Sequence, residues 1–386
     1  MLGRKKAAKF EIHVKKENRW SIQTAVDDGV MATARAKGYL LATGVTAVKV
    51  VKETTSFTGR TSQTTVFGAE REAVSTKSRT CYTPEAFTAP LEDANDLIAP
   101  VVRRAVGQTI KNYLVEQVIS PTEFLFARQH LQRFHKDDKL PSAAFFNFAK
   151  GWQNAPEELD QKAIQVRIGG LFGDAQKVAQ AREQALPAPM ENTGDAQAHI
   201  QGCKRLFDGH EVERMITTGV CIFLSKHRTW PSKLDQLFLI GDQTGDRAVW
   251  DLVDTITAEV LEISEMIKDL LGGHDSLADA LLVLADFATG RDVPTGAGGW
   301  DGAPQLVEGI AAGRLPHIQA SLILRLARAV SGDAMLTKLG ARKDAEAMSR
   351  LREKLLLPNR DMVGGQAMER AFERRWDRIR TRILQE

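Results

Sequence analysis

The sequence predicts an α+β protein in which a small N-terminal ββαββ domain is followed by a mainly α-helical bundle region. Apolar and polar residues alternate before residue 70, whereas apolar residues recur at spacings of three and four from residue 120 to the end. Two segments rich in Pro, Ser, Thr or Gly show neither period. The predicted domains are therefore 1–72, 93–184 and 201–386, and the predicted linkers are 73–92 and 185–200.

Four short alternating segments predict the strands of the N-terminal domain. Asp27 or Asp28 is placed to cap the helix between the second and third strands, because an aspartate side chain accepts hydrogen bonds from the free N–H groups of a first turn. Gly44 is predicted to end this helix. The predicted strands lie at residues 10–14, 20–24, 48–50 and 64–67, with turns at 17–18 and 56–60.

The helical region carries start and stop signals. The Ser-Pro-Thr-Glu segment at 120–123 has the pattern of a helix N-terminus, with Ser as the cap and Glu able to bond back to it. Unbroken spacings of four and three predict one long helix over residues 249–270, and Gly272 is placed to end it. We expect Asp275 to cap the next helix, which ends at Gly290.

The chain is nearly neutral overall, but its N-terminal part is basic. It has 386 residues with 52 Lys and Arg against 49 Asp and Glu, whereas residues 1–80 contain fifteen basic and seven acidic residues. If the apolar positions 10, 12, 14, 20 and 22 face the helix, basic side chains lie on the opposite face or at the edge of the sheet. The interaction residues predicted there are Lys9, Lys15, Arg19 and Lys49.

This basic face allows two interpretations. Lys and Arg bind nucleic-acid phosphates with salt-dependent affinity. Sheet-based RNA readers, however, stack bases on exposed aromatic side chains, and the alternation places Trp20 on the helix side. A solvated basic surface or an acidic protein partner therefore competes with nucleic acid as the explanation of this face.

The last predicted helix, at about residues 366–384, is amphipathic. Phe372 and Trp376 lie on its apolar stripe, and acidic and basic residues alternate around the rest of the helix. Aromatic anchors of this kind are typical of interface hot spots. The stripe predicts contact with a protein partner or self-association into an oligomer, with Phe372 and Trp376 as interaction residues.

The sequence has no P-loop, G-x-S-x-G or H-E-x-x-H pattern, so we predict no catalytic residue, no cofactor and no metal ligand. The adjacent pair His274-Asp275 resembles that of HD-type metal phosphohydrolases, and this resemblance implies a divalent metal held with a further His and Asp. The competing interpretation makes Asp275 a helix cap and His274 a loop residue. Glu259, Glu262 and Glu265 lie off the apolar seam and are predicted to be solvated.

The expected location is the cytoplasm. Three scattered cysteines do not suggest a disulfide framework, no segment has about 18 uncharged apolar residues, and the basic N-terminus is not followed by an apolar run. The favoured function is that of a non-enzymatic regulatory or scaffold protein that acts through helical protein–protein contacts. The alternatives are a nucleic-acid-binding protein and an HD-like phosphohydrolase.

Overall fold

A computed structural model describes residues 9–16, 19–40, 45–55, 61–70, 80–262, 265–291, 300 and 302–385. The chain divides into two compact units, Met1–Ser78 and Arg79–Glu386, which are called the sheet unit and the helical unit from here on. An antiparallel sheet with one helix is followed by a series of helices, so the predicted α+β fold class is confirmed.

The sheet unit has the predicted ββαββ order. Helix α1 (Gly29–Leu40) follows the second strand, and the N–H of Met31 donates to Asp28 Oδ1 at 2.8 Å, which confirms the predicted cap. The predicted turns at 17–18 and 56–60 and the helix end at Gly44 lie outside the described residues. The antiparallel strands, in the spatial order β2-β1-β3-β4, are β1 (Lys9–Lys16), β2 (Arg19–Val26), β3 (Val45–Thr55) and β4 (Thr61–Glu70).

One face of this sheet packs on α1. Ala32 and Ala36, four residues apart on the helix, are fully buried. Because alanine ends at Cβ, the helix approaches the sheet closely enough for the branched strand residues to fill the space between them. The strand residues of this core are Ile12, Val14, Val45, Val48 and Val50.

The helical unit consists of helices joined by short connections. Its described helices are α2 (Pro100–Thr109), α3 (Lys111–Gln117), α4 (Pro121–Phe126), α5 (Arg128–His135), α6 (Leu140–Gly151), α7 (Gln161–Ala185), α8 (Ala196–Leu206), α9 (His210–Leu224), α10 (Trp230–Thr244), α11 (Arg247–Glu262), α12 (Glu265–Leu271), α13 (Leu277–Thr289), α14 (Ala303–Ala311), α15 (Pro316–Ser331), α16 (Ala341–Lys354) and α17 (Gly365–Gln385). None of the helices in the described ranges is long and apolar enough to cross a membrane.

The local signals of this unit are confirmed in part. Ser120 and Glu123 form the predicted capping box at the start of α4, with each side chain accepting from the other's backbone N–H. The predicted helix over 249–270 is helical throughout its described residues, in α11 and α12, and residues 263 and 264 between them lie outside the described residues. The cap of α13 is Ser276, whose Oγ accepts from the N–H of Asp279, and not Asp275. Asp and Ser are both favoured as helix N-caps, so the residue pattern does not choose between Asp275 and Ser276. The backbone path after Gly272 decides which of them takes the cap position.

A continuous core runs through the helical unit, including the two segments predicted as linkers. Phe87 and Leu91, in the predicted linker 73–92, are buried in it, and so are Met190 and Ala196 of the segment 185–200. Phe87, Leu91 and Met190 lie in irregular stretches whose lack of periodicity resembles that of a linker, and Ala196 begins α8. The division into separate domains at these segments remains a prediction.

Candidate functional site

A β-bulge on β2 decides which side chains lie on the face of the sheet opposite α1. Thr24 pairs with Ile12, but Ile22 pairs with His13, so Gln23 is an extra residue in β2. Since directly paired residues point to the same face, the strand changes face at Gln23. The prediction that Trp20 and Ile22 cover the helix is therefore wrong.

Trp20 and Ile22 lie instead on the side of the sheet without a helix. Trp20 pairs with Lys15, and Trp20 and Ile22 are 41% and 57% exposed. Lys49 pairs with His13 from the other neighbouring strand, and its Nζ lies 4.9 Å from the centroid of the Trp20 ring. We call this surface the helix-free face; it includes Glu11, His13, Lys15, Trp20, Ile22, Lys49, Val51 and, by register, Glu70.

Charge is distributed unevenly along this face. Lys15 and Lys49 lie near Trp20 at one end. Towards the other end, Glu11 Oε2 lies 3.2 Å from His13 Nε2. Lys9, further along β1, pairs with Glu53. The end that carries the tryptophan thus has two lysines, and the strand register places one acidic residue, Glu70, in the same row: Glu70 pairs with Ala47, which pairs with Lys15.

The structure brings together some of the interaction residues predicted for this unit and not others. Lys15 and Lys49 belong to the group around Trp20, whereas Lys9 is exposed at the start of β1, opposite Glu53. Arg19 is the first residue of β2, and its side chain lies outside the described part of the chain. The predicted side was wrong for both Trp20 and Ile22, because the bulge has no marker in the residue pattern.

Trp20 and Lys49 together can bind a ligand in two ways, by stacking and by charge. The exposed face of an indole ring stacks on a nucleobase, and an ammonium group over the same ring is held by a cation–π interaction. Lys49 is therefore positioned beside a stacking surface by the ring itself. A ligand that combines a flat aromatic group with a nearby negative charge matches both features.

The predicted residues of the last helix are part of the core of the helical unit. Phe372 is 3% exposed, and Trp376 is half-buried against the same core. Between them, the buried Arg375 donates to the carbonyl oxygens of Gly332 and Ala334. The stripe on α17 thus packs within its own unit, and a contact of Phe372 or Trp376 with another chain remains a prediction.

His274 and Asp275 lie at a surface cavity between α12 and α13. His274 Nε2 is 2.6 Å from the carbonyl oxygen of Leu271, and Asp275 is exposed. Within the described ranges, no group of three or more His, Cys, Asp or Glu residues could hold a metal ion. No contact of the described residues favours the phosphohydrolase hypothesis.

The charged groups inside the helical unit bind one another. Lys233 on α10 forms a fully buried ion pair with Glu123 on α4. Glu259 was predicted to be solvated, but its carboxylate lies 2.5 Å from Arg103 Nε and accepts from both the N–H and the hydroxyl of Thr122 at 2.9 Å. That prediction is wrong because α2 and α4 cover the polar side of α11.

Asp254 caps a helix, and Cys203 and Cys221 are buried in the core. The Asp254 carboxylate accepts from the backbone N–H groups of His317 and Ile318 at 2.8 Å, and lies 2.7 Å from His317 Nδ1, so it caps α15. Burial raises the pKa of Cys203 to about 11 and also raises that of Cys221. Both thiols are therefore protonated at neutral pH and are poor nucleophiles.

The helix-free face is thus a described surface on which an exposed aromatic side chain, Trp20, lies against a basic one, Lys49. No protein-family model matches the chain, and neither a curated protein nor a solved structure matches it.

Proposed function

We propose that this protein binds single-stranded nucleic acid on the helix-free face of its sheet unit. The observation that carries the proposal is the position of Trp20, exposed beside Lys15 and within cation–π distance of Lys49. A base stacks on the indole ring, and the ammonium group of Lys49 binds a phosphate that flanks it.

The exposed indole favours a single strand over a duplex. In a duplex both faces of every base are already stacked on neighbours, so an indole ring competes poorly for them. A single strand presents free base faces, and stacking of one base on an aromatic side chain is worth about 1–3 kcal/mol. The small surface formed by Trp20 and Lys49 suits a contact with one or two nucleotides.

The proposal is tested by fluorescence anisotropy with labelled oligothymidylate, oligouridylate and a duplex of equal length, over a series of salt concentrations. We expect the full-length protein to bind the single strands more tightly than the duplex, with affinity falling as salt rises. Trp20→Ala should weaken binding roughly fivefold to a hundredfold. Lys49→Glu should also weaken binding and reduce the salt dependence by about one phosphate contact.

Lys52 provides a matched control on the same strand. It pairs with Phe10, and its Nζ lies 5.9 Å from the centroid of that ring, on the face that packs on α1. Lys52→Glu makes the same change in net charge as Lys49→Glu, but on the opposite face. Equal losses for the two variants, or no binding even at low salt, would contradict the proposal.

A second candidate is a regulatory or scaffold role through contacts of the helical unit. Two exposed apolar side chains, Met335 and Leu339, favour it, since exposed apolar patches beside a groove mark protein interaction sites. This role does not compete with the first, because it uses a different part of the chain.

A further inference from the structure

Two adjacent cavities of about 550 and 500 Å³ lie between the start of α13 and the connection from α15 to α16. They share Asp275, Ser276, Thr337 and Lys338 in their linings. Because of this shared lining they form one continuous depression, which we call the α13–α16 groove. It belongs wholly to the helical unit.

The two walls of the groove carry opposite charges. Asp275 and Asp279 are exposed on the α13 wall. The facing wall carries the exposed basic side chains of Lys338, Lys343 and Arg350; its acidic residue, Glu346, lies 2.8 Å from Lys343. Lys268 of α12 also lines the first of the two cavities, so the α13 side is negative at Asp275 and Asp279 and the facing side is mainly positive.

Two apolar side chains protrude beside the groove. Met335 and Leu339 are 60% and 76% exposed, although they flank the buried Leu336 in the same short connection. Their backbone is held in place from beneath: the carboxylate of the buried Asp344 accepts from Thr337 N–H at 2.7 Å and from Thr337 Oγ1 at 2.8 Å.

The other end of the same connection is fixed by α17, since Arg375 donates to the carbonyl oxygens of Gly332 and Ala334. Anchors at both ends reduce the conformational entropy that this connection has left to lose on binding. Met335 and Leu339 are therefore presented on a preorganised support.

We propose that a second copy of this chain occupies the α13–α16 groove and forms a two-fold symmetric dimer. In such a dimer the same patch meets itself, so each patch must contain both a protrusion and its complement. This surface contains the apolar protrusions Met335 and Leu339 beside cavities of sufficient volume to receive them. A two-fold axis that runs along the groove also places the acidic wall of one copy against the basic wall of the other.

The dimer is tested by sedimentation velocity and light scattering of the full-length protein over a concentration series. We expect a monomer–dimer equilibrium that Leu339→Asp weakens by more than about a hundredfold, because the symmetry removes two buried leucines at once. Leu206→Asp is the matched control, since Leu206 is 63% exposed on α8, away from the groove lining. This control should leave the dissociation constant unchanged.

Charge reversal gives a test in which dimerisation is restored as well as lost. The double variant Asp275→Lys, Asp279→Lys makes both walls basic, and the double variant Lys338→Glu, Lys343→Glu makes both acidic. Each should be monomeric alone, and an equimolar mixture should form a heterodimer. A parent chain that stays monomeric at every concentration, or variants that dimerise as the parent does, would overturn the proposal.

Discussion

In the helical unit, the ammonium group of Lys233 is buried against the Glu123 carboxylate, whereas in the sheet unit that of Lys49 lies over the exposed ring of Trp20. Both lysines thus have a partner, but the two partners differ in whether the ammonium group can still bind a ligand. The buried pair is closed to any ligand. The lysine above the indole ring keeps its charge available to a phosphate, because a ring neutralises no charge.

The comparison shows why a charged residue in a helical bundle is weak evidence for a functional site. Glu259 and Asp254 each accept several hydrogen bonds from their own unit, and these bonds hold α2, α4 and α15 in position. Removing such a group should cost stability. A change on the helix-free face should cost binding and leave stability almost unchanged.

The largest effect is expected for the buried ion pair. Lys233→Met leaves the Glu123 carboxylate buried without its cation, so the free energy of unfolding should fall by about 3–5 kcal/mol. Urea denaturation followed by circular dichroism measures this change. The double variant Lys233→Met, Glu123→Gln should recover part of the loss, because glutamine is neutral and keeps the capping box. A double variant no more stable than the single one would contradict this account of the pair.

The next effect tests the bulge itself. Ile12 is fully buried on the α1 side, whereas Ile22 is mostly exposed on the helix-free face. Ile12→Thr should destabilise the sheet unit by about 2–4 kcal/mol, since it leaves a cavity and buries a hydroxyl. Ile22→Thr should change the free energy of unfolding by less than about 0.5 kcal/mol. If thermal or urea unfolding showed equal losses of stability for the two variants, Ile22 would be buried against α1 as Ile12 is. Trp20, two residues before Ile22 on β2, would then also face α1, and the assignment of the helix-free face would be wrong.

The third effect depends on pH. Burial, together with the positive charge of Lys233 and of two nearby arginines, lowers the pKa of His130 from 6.5 to about 3. Below pH 6.5 the unfolded chain takes up a proton at this site that the folded chain does not, so stability falls on acidification towards pH 3. The slope from this residue is at most about 1.4 kcal/mol per pH unit.

His130→Leu removes that contribution. Among the described residues, neither ring nitrogen of His130 has a hydrogen-bond partner, so leucine should be tolerated at neutral pH and should stabilise the protein relative to the parent as the pH falls to 5. Urea denaturation at pH 7, 6 and 5 measures the difference. The exposed His210 provides the control, and His210→Leu should leave the pH dependence as in the parent. Parallel curves for the parent and His130→Leu would contradict the assignment.

Local signals in the residue pattern were sufficient for part of the fold. The capping box at 120–123 and the Asp28 cap are confirmed because each depends on atoms within a few residues of one another. The cap of α13 fell on Ser276 and not on Asp275. Both residue types cap helices well, so the backbone path after Gly272 decided between these adjacent residues.

The sequence by itself determined the α+β class, the ββαββ order and the excess of basic residues at the N-terminal end. These follow from periodicity and composition, which need no knowledge of distant contacts. Only the tertiary structure decided that Trp20 faces away from α1 and that Glu259 is covered by two other helices. A one-residue bulge reverses the side of every residue beyond it, and burial of a surface glutamate depends on helices more than a hundred positions away along the chain.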